Sequence, residues 1–513
     1  MSDTFDVIVI GAGAAGAALA TRLSERPDRR VLLLEAGSAE RDPVADQLAN
    51  VTFAMTARDW GLTARATPAR TLEFPQGKAA GGGSAVNMAL ALRPLPEDLD
   101  AWAAEGNPGW SWNDVLPALR RLEDDPEGAQ HAPAAHGTGG PIPVVRWRPD
   151  EFTAQSRAFL AGCRHAGLDE VVDHNDGTAS GVGSFPMNRR DGERVSTAIG
   201  YLFPNAGREN LVVRGGVLVD RVVIDGGRAT GVEVVDATGA RRVLTAGRVV
   251  VAAGAIQSPA VLMRSGIGDA AALGALGIAP VVDLPGVGRN LMEHPGAFLF
   301  VVPTEGVCDT SEVQFQLGVR TTAPGSPYRN DLLLGMMNHW DLRATPDFRD
   351  LVGADVIFAL TCGVLLPKAR GSVTLTSADP SAAPAIDLNL CGHPDDTARL
   401  VAALRLQHRI ATSPAMRDRI AGYALIDPAA FDTDDDTALA AYVEQVCAPW
   451  YHPSGTCRMG PDPRRGAVVD AGLRVHGVDG LFVADASIMP VIPRATTNLT
   501  SIAIGERAAE LLG

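Results

Sequence analysis

The stretch that decides the fold is "FDVIVIGAGAAGAALATRLSE", Phe5 to Glu25. Phe5–Ile10 is a short apolar, β-branched run and predicts a strand buried on both faces. Glycines follow at once, and behind them lies a stretch rich in Ala and Leu, which favours helix. "RRVLLLEAG" (Arg29–Gly37) predicts a second buried strand ending at Glu35. Strand, turn, helix, strand is a βαβ unit that opens a parallel sheet. Gly11, Gly13 and Gly16 spell G-x-G-x-x-G across the turn. The first glycine permits the tight turn, the second lets a pyrophosphate approach the backbone, and the third lets helix pack on strand. The phosphates then meet the positive helix N-terminus. Glu35 stands 19 residues after Gly16. A carboxylate there can take both hydroxyls of an adenosine ribose and repels a 2′-phosphate. The glycine motif alone says little; set between two strands, with an acid at this spacing, it specifies a dinucleotide site. The unit leaves FAD and NAD open, although its N-terminal position and the Gly37 that closes "EAG" lean towards FAD.

The remaining composition narrows the class. A chain of 513 residues is too long for one simple core and predicts two to four domains, or two built from interleaved segments. Apolar content of 46% and charged content of 20% are those of a globular protein. Net charge is −15, with no basic block and only two lysines, Lys78 and Lys368, which excludes nucleic acid and anionic membranes as expected partners. No apolar run reaches transmembrane length, and the acidic start "MSDTFD" is unlike a signal peptide, so the expectation is a cytoplasmic protein without membrane insertion. The six cysteines are scattered without a CxxC pair and are expected as free thiols.

Further along, Arg41–Pro75 reads as irregular and 96–125 as helical. Glu123–Pro143, rich in Pro, Gly and Ala, reads as a long loop and a domain boundary. Asn210–Asp236 alternates β-branched runs with Gly turns and predicts an antiparallel meander. Gly247–Ala255 predicts another buried strand, and strand-like runs recur between Leu299 and Leu375. The chain closes on a helix, "SIAIGERAAELL".

Five further segments carry a resemblance over nearly the whole length. They are "GKAAGGGSAVN" (Gly77–Asn87), "GAIQSPAVLMRSGIG" (Gly254–Gly268), "LPGVGRNLMEHP" (Leu284–Pro295), "YHPSGTCRMG" (Tyr451–Gly460) and "GLFVADASIMPVIPRATTNLT" (Gly480–Thr500). In this order, after the opening unit, they resemble the glucose–methanol–choline family of flavin oxidoreductases. The resemblance implies an α/β protein (α+β overall). A Rossmann-like FAD-binding domain with a parallel sheet is interleaved with an antiparallel-sheet substrate domain. The expected ranges are 1–143, 196–296 and 441–513 for FAD, and 144–195 and 297–440 for substrate.

It also implies the cofactor contacts. The opening turn supplies Gly11, Gly13, Ala14, Ala15 and Gly16, and the second strand supplies Glu35 and Ala36. The glycine loop supplies Gly82, Gly83, Ser84, Asn87, Met88 and Ala89. Val219 matches a residue that meets adenine through its backbone, though an ordinary core valine fits as well. Ala253, Gly254, Asp485, Ala486, Asn498 and Thr500 complete the set; Asp485 also reads as a helix cap. Some relatives bond the flavin covalently through a histidine where this chain has Val86, so non-covalent FAD is expected. Ala80 replaces a larger aliphatic residue.

Oxidising an alcohol removes a proton from oxygen and a hydride from carbon. The proton needs a base titrating near working pH, and histidine, ordinarily near about 6.5, suits it. A second polar group must hold the oxygen. The resemblance maps these roles onto His452 and Asn498. His294 in "MEHP" reads as structural. His339 reads equally as pocket-lining or as ordinary packing. His131, His136, His165, His174, His393, His408 and His476 read as surface residues. Cys457, five residues from His452, reads as a packed side chain, and no metal site is expected. The expected reaction is CH–OH to aldehyde or ketone by an alcohol dehydrogenase or oxidase, with a small alcohol as substrate and oxygen, a quinone or a protein as electron acceptor. Where choline-oxidising relatives hold the ammonium with a carboxylate, "EVQFQLGV" offers Gln316, with Glu312 four residues away, so neutral primary or aromatic alcohols are favoured over choline. Two alternatives stay open: flavin-dependent lyase or photodecarboxylase chemistry on the same fold, and a non-catalytic flavoprotein.

Overall fold

The computed structural model describes residues 4–236 and 238–513. Its centre is a seven-stranded sheet nucleated by the opening unit. Thr4–Ile10 lies between Val31–Leu34 and Arg241–Val251, all parallel, in the register Val7↔Val31 and Val7↔Arg248. Leu211–Arg214 extends the parallel sheet beyond Val31–Leu34. The eleven-residue strand Arg241–Val251 is long enough to fork. Its first half pairs antiparallel with Arg228–Asp236, and its end pairs parallel with Leu481–Val483. Val217–Asp225 closes the far edge, antiparallel to Arg228–Asp236. Helix Ala14–Leu23 packs against the closing helix Thr497–Leu512, where a side chain at Gly505 would lie 2.2 Å from the Ala15 carbonyl. That approach needs glycine.

A second sheet is antiparallel, in the order Ile420–Tyr423, Pro295–Pro303, Val356–Val364, Leu332–Asp341, Leu317–Thr321, Gly181–Ser184. Helix Pro394–Ala411 lies on it and buries Leu400, Leu404 and Ile410. Each sheet has its own apolar core. The chain alternates between the sheets, first, second, first, second and first again, so the expected mixed α/β architecture with interleaved sheets is what forms.

Several local expectations fail, each for a tertiary reason. Arg41–Pro75 holds helices Pro43–Asp46 and Val51–Ala57 and the hairpin Thr63–Thr67/Arg70–Glu73, whose strand pairs with distant Ala385–Asp387. Asn210–Asp236 is not all meander, because Leu211–Arg214 joins the parallel side. Leu317–Thr321 is strand but Glu312–Gln316 is not.

Glu123–Pro143, expected as a long loop, is a folded insert. Glu123–Asp124 and Ile142–Pro143 close it as a parallel pair, with helix Pro126–His131 between. At its centre His136, read as a surface residue, is 1% exposed. Its Nδ1 lies 3.1 Å from both Glu123 and Asp125, and its Nε2 lies 2.8 Å from Asp173. Both nitrogens face carboxylates, so both carry protons; burial opposes this charge, but the carboxylates prevail and raise the pKa to about 10. Arg93 pairs with Glu123, and Arg146 with Asp125 and Asp173. Three carboxylates thus meet two guanidinium groups and one imidazolium, a charge balance complete without a metal ion. His174 is the other histidine misread as a surface residue. It is buried at 1% exposure, with its pKa lowered to about 4 by burial and the Arg320 charge.

Candidate active site

Gly11, with φ +98°, turns the chain out of the first strand, and a side chain there would meet the Ala252 carbonyl at 2.5 Å. A side chain at Gly16 would sit 2.0 Å from the Gly11 carbonyl. Gly13 caps helix Ala14–Leu23 with no side chain, and the first turn holds no acid, so the leading N–H groups of Ala14 and Ala15 face no competing carboxylate. Glu35 is 6% exposed; one oxygen accepts the Ala12 N–H at 2.9 Å and the other the Gly37 N–H at 2.8 Å. Burial raises its pKa, and those N–H groups, with that of Ala36, oppose the rise. Beside it the Val217 N–H donates to the Glu35 carbonyl at 2.9 Å, which starts the strand carrying Val219.

The glycine loop lies across this turn. The Gly81 N–H donates to the Ala12 carbonyl at 2.7 Å, and a side chain on Gly82 would come 2.8 Å from the Gly13 Cα. Ser84 Oγ donates to the Gly81 carbonyl and accepts the Thr197 N–H. The Asn87 side chain accepts the Ala89 N–H at 2.9 Å, holding Ala89 at φ 57°. Met88 is half-buried, and Val86 packs with Ala45 and Ala54. Asp485 is buried with both oxygens on protein donors. The N–H groups of Gly254 and Ser487 and the Ser258 hydroxyl bind it, while Ser258 Oγ accepts the Ala253 N–H. This assembly fixes the start of helix Gly254–Arg264, and the Ala486 carbonyl accepts the Gly455 N–H. Thr500 Oγ1 is buried without a protein partner.

His452 is placed by two antiparallel chain segments. Ala448–Pro449 pairs with Pro295–Gly296, and Ser454 with Met292. This register sets "MEHP" beside "YHPSG". The Glu293 carboxylate, 3% exposed, accepts the His452 N–H at 2.8 Å and the His294 N–H at 2.9 Å. Burial pushes its pKa up to about 8, against those N–H groups and that of Trp450. Tyr451 takes φ 62° to turn the chain, and Gly455 takes φ +85° where a side chain would strike Met292 Cε at 2.4 Å. His294, read as structural, touches the His452 ring. The two Nδ1 atoms are 2.9 Å apart with the rings edge-on, and His294 Nε2 lies 3.0 Å from the Leu365 carbonyl. Burial lowers the His452 pKa to about 4, and burial plus the neighbouring His452 holds that of His294 well below its ordinary value. Both rings are neutral at pH 7.

Asn498, in the first turn of the closing helix, donates from Nδ2 to Asn188 Oδ1 at 3.0 Å. His452 and Asn498 are each only half-buried, between buried neighbours. A small apolar cluster of Ala89, Leu92, Phe185, Met187, Leu333, Leu365 and Ala495, with Trp450 against it, joins the glycine loop to the segments bearing these residues and their partners. Glu293 and Asn188 were not singled out in the sequence, and His294 was read there only as structural. Only their partners across 158, 159 and 310 positions show what they do.

Other candidates fall elsewhere. Cys457 is fully buried with its thiol held protonated by burial, so no thiolate stands beside His452. His339 Nε2 lies 2.7 Å from the Glu312 carbonyl. Gln316 is 1% exposed with its amide spent on the Thr153 N–H and the Glu151 carbonyl, and the Glu312 side chain is exposed.

Models of the GMC oxidoreductase family match residues 5–296 and 367–505. A 5-(hydroxymethyl)furfural oxidase from a Methylovorus species is 36% identical over 100% of this chain and 99% of its own length. An oxygen-dependent choline dehydrogenase from Rhizobium etli is 35% identical over 98% and 95%. Among solved structures, pyridoxine 4-oxidase from Mesorbium loti superposes with a TM-score of 0.90 at 31% identity, covering 99% of this chain and 98% of that one. With the glycine turn, the two sheets and the His452 segment all in place, this chain belongs to the GMC oxidoreductase family.

Proposed function

We propose that the protein is an FAD-dependent alcohol oxidoreductase in which His452 accepts the hydroxyl proton and Asn498 holds the substrate oxygen. The observation that carries this reading is the neutral, half-open imidazole of His452, fixed through its backbone by Glu293 and through its ring by His294. A neutral imidazole with an open face is a proton acceptor. The asparagine amide offers an N–H to the oxygen losing that proton.

The residues present fit FAD. The uncapped helix start at Gly13–Gly16 suits a pyrophosphate. Glu35, with Ala36 and Val219 beside it, suits the adenosine half. Gly82, Gly83, Ser84, Asn87, Met88 and Ala89 form a backbone cradle over that turn. Ala253, Gly254, Asp485 and Ala486 shape the opposite wall, and Thr500 Oγ1 is a buried polar atom still lacking a partner. FAD, when bound, supplies the hydride acceptor. Val86 is apolar and buried, so attachment is non-covalent. The division into 1–143, 196–296 and 441–513 against 144–195 and 297–440 remains our proposed assignment.

Neutral primary or aromatic alcohols are the favoured class. No carboxylate is presented at Gln316, and two of the similar proteins are named for ring-bearing alcohols, hydroxymethylfurfural and pyridoxine. Oxygen, a quinone or a protein carrier is the electron acceptor. No helix among the described residues is long and apolar enough to cross a membrane; we keep a cytoplasmic location as part of the proposal. The test is anaerobic addition of an alcohol panel to the FAD-loaded protein, repeated with oxygen and with an artificial dye. Bleaching of the flavin absorbance by an alcohol is expected; an unbleached flavin across a broad panel sinks the reading and favours lyase or photodecarboxylase chemistry or a non-catalytic flavoprotein.

A further inference from the structure

We propose that the donor–acceptor polarity of His452 and Asn498 is set from behind by two buried positioning residues, His294 and Asn188, each anchored on a backbone carbonyl. The functional meaning rests on the reading above; the polarity itself follows from hydrogen-bond chemistry.

The imidazole arm starts at the Leu365 carbonyl, which only accepts. His294 Nε2, 3.0 Å away, therefore carries a proton. His294 is 0% exposed and makes no ion pair with a carboxylate; the Glu293 oxygens bind backbone N–H groups of both histidines. A neutral ring with its proton on Nε2 has a bare Nδ1. That bare Nδ1 is 2.9 Å from His452 Nδ1, so His452 donates. The lone pair of His452 is thereby placed on Nε2. An unconstrained neutral histidine favours the opposite tautomer, with the proton on Nε2, which cannot accept another there. His294 therefore selects the form that works as a base.

The amide arm has the same logic. Asn188 is 1% exposed, and its amide faces the Pro143 carbonyl at 3.2 Å, so that end is the Nδ2 donor. Its Oδ1 then faces Asn498, which must present Nδ2 at 3.0 Å. This leaves Asn498 one N–H and its Oδ1 for a ligand, without a flip. One group that accepts a proton and one that donates to the same oxygen are the complementary pair that alcohol oxidation needs. The two arms start from carbonyls in different parts of the chain and share no bond, so they are separable.

The experiment is side-chain ¹⁵N NMR of the histidine-labelled holoenzyme, with kinetics of variants. In the wild type, His452 is expected with its proton on Nδ1 and His294 with its proton on Nε2. A proton on His452 Nε2 in the resting enzyme overturns the imidazole arm, whatever the variants do. In His294→Leu, the Nε2-protonated form of His452 is expected to appear, and kcat to fall about 10–100-fold while bound FAD and KM change little. His294→Gln can accept from His452 with its oxygen and donate to Leu365 with its nitrogen, and it is expected to recover most of that loss. Equal losses in the Leu and Gln variants, with the His452 tautomer unchanged in both, make His294 a packing residue only. For the second arm, Asn188→Leu is expected to lower kcat with the His452 tautomer intact; unchanged kcat overturns that arm. If the wild-type tautomers are as stated but His452→Ala keeps full turnover, the catalytic reading fails and the polarity stands.

Discussion

In the proposed reading His452 is the proton acceptor, and burial is what keeps it unprotonated. Its pKa, lowered to about 4, means that the acid limb of kcat/KM should fall near that value and not near the ordinary 6.5 of an exposed imidazole. The expected profile is level between roughly pH 5 and 7 in this limb. A limb centred near the ordinary histidine value would show that His452 is solvated in the working enzyme. His452→Asn should retain FAD, read by its absorbance, and lose about 10²–10⁴-fold in kcat.

At the scale of elements, the site depends on one close approach that only glycine allows. Gly455 adopts φ +85°, with the Asn290 carbonyl 2.7 Å and Met292 Cε 2.4 Å from any added Cβ. It turns the chain out of the antiparallel pairing that holds Ser454 on Met292 and His452 on Glu293. Gly455→Ala should cost roughly 1–3 kcal/mol, from left-handed strain plus a contact the neighbours must yield to. Urea denaturation measures the loss. Turnover should fall further than stability explains, because the displaced turn carries His452 with it; loss of stability alone, with kcat intact, would make the turn a support for the fold only.

The whole molecule has a pH dependence to which four buried groups contribute with opposing signs. His452 and His174 are both lowered to about 4, so between pH 4 and 6.5 the unfolded chain binds protons that the native chain does not. Stability therefore rises with pH across that window. His136 is raised to about 10, so its contribution is fully present below 6.5 and is lost as pH rises through about 10. Glu293, raised to about 8, adds a second decline that is complete by about pH 8. The most stable pH should thus lie near neutrality. His136→Gln leaves three buried carboxylates with two guanidinium partners and should cost about 3–5 kcal/mol at pH 7. It should also remove the His136 share of the decline above about pH 6.5, while the Glu293 and thiol titrations common to both proteins stay in place. Denaturant titrations of both proteins across this range check it; parallel slopes would show that His136 does not carry the charge.

The opening βαβ unit was fully legible because its determinants are local: β-branched runs, glycines at fixed spacing and one acid at a strand end. The glycine loop, His452 and Asn498 were singled out through the contiguous motifs that carry the family resemblance. The insert Glu123–Pro143 was misread because its order comes from charges; His136 is held by Asp173, 37 positions away, and composition does not report pairing. Leu211–Arg214 was misread because an edge position in a parallel sheet depends on which strand is already there. The roles of His294 and Asn188 were invisible for the same reason. A histidine 158 residues from another, or an asparagine 310 residues from its partner, gains a meaning only when antiparallel pairing and a shared apolar cluster bring the side chains within hydrogen-bond reach. The sequence by itself determined which chemical groups this protein has and the unit that starts its fold; the tertiary structure alone decided which of those groups touch. Hydrogen bonds act over about 3 Å, and only folding sets distances at that scale.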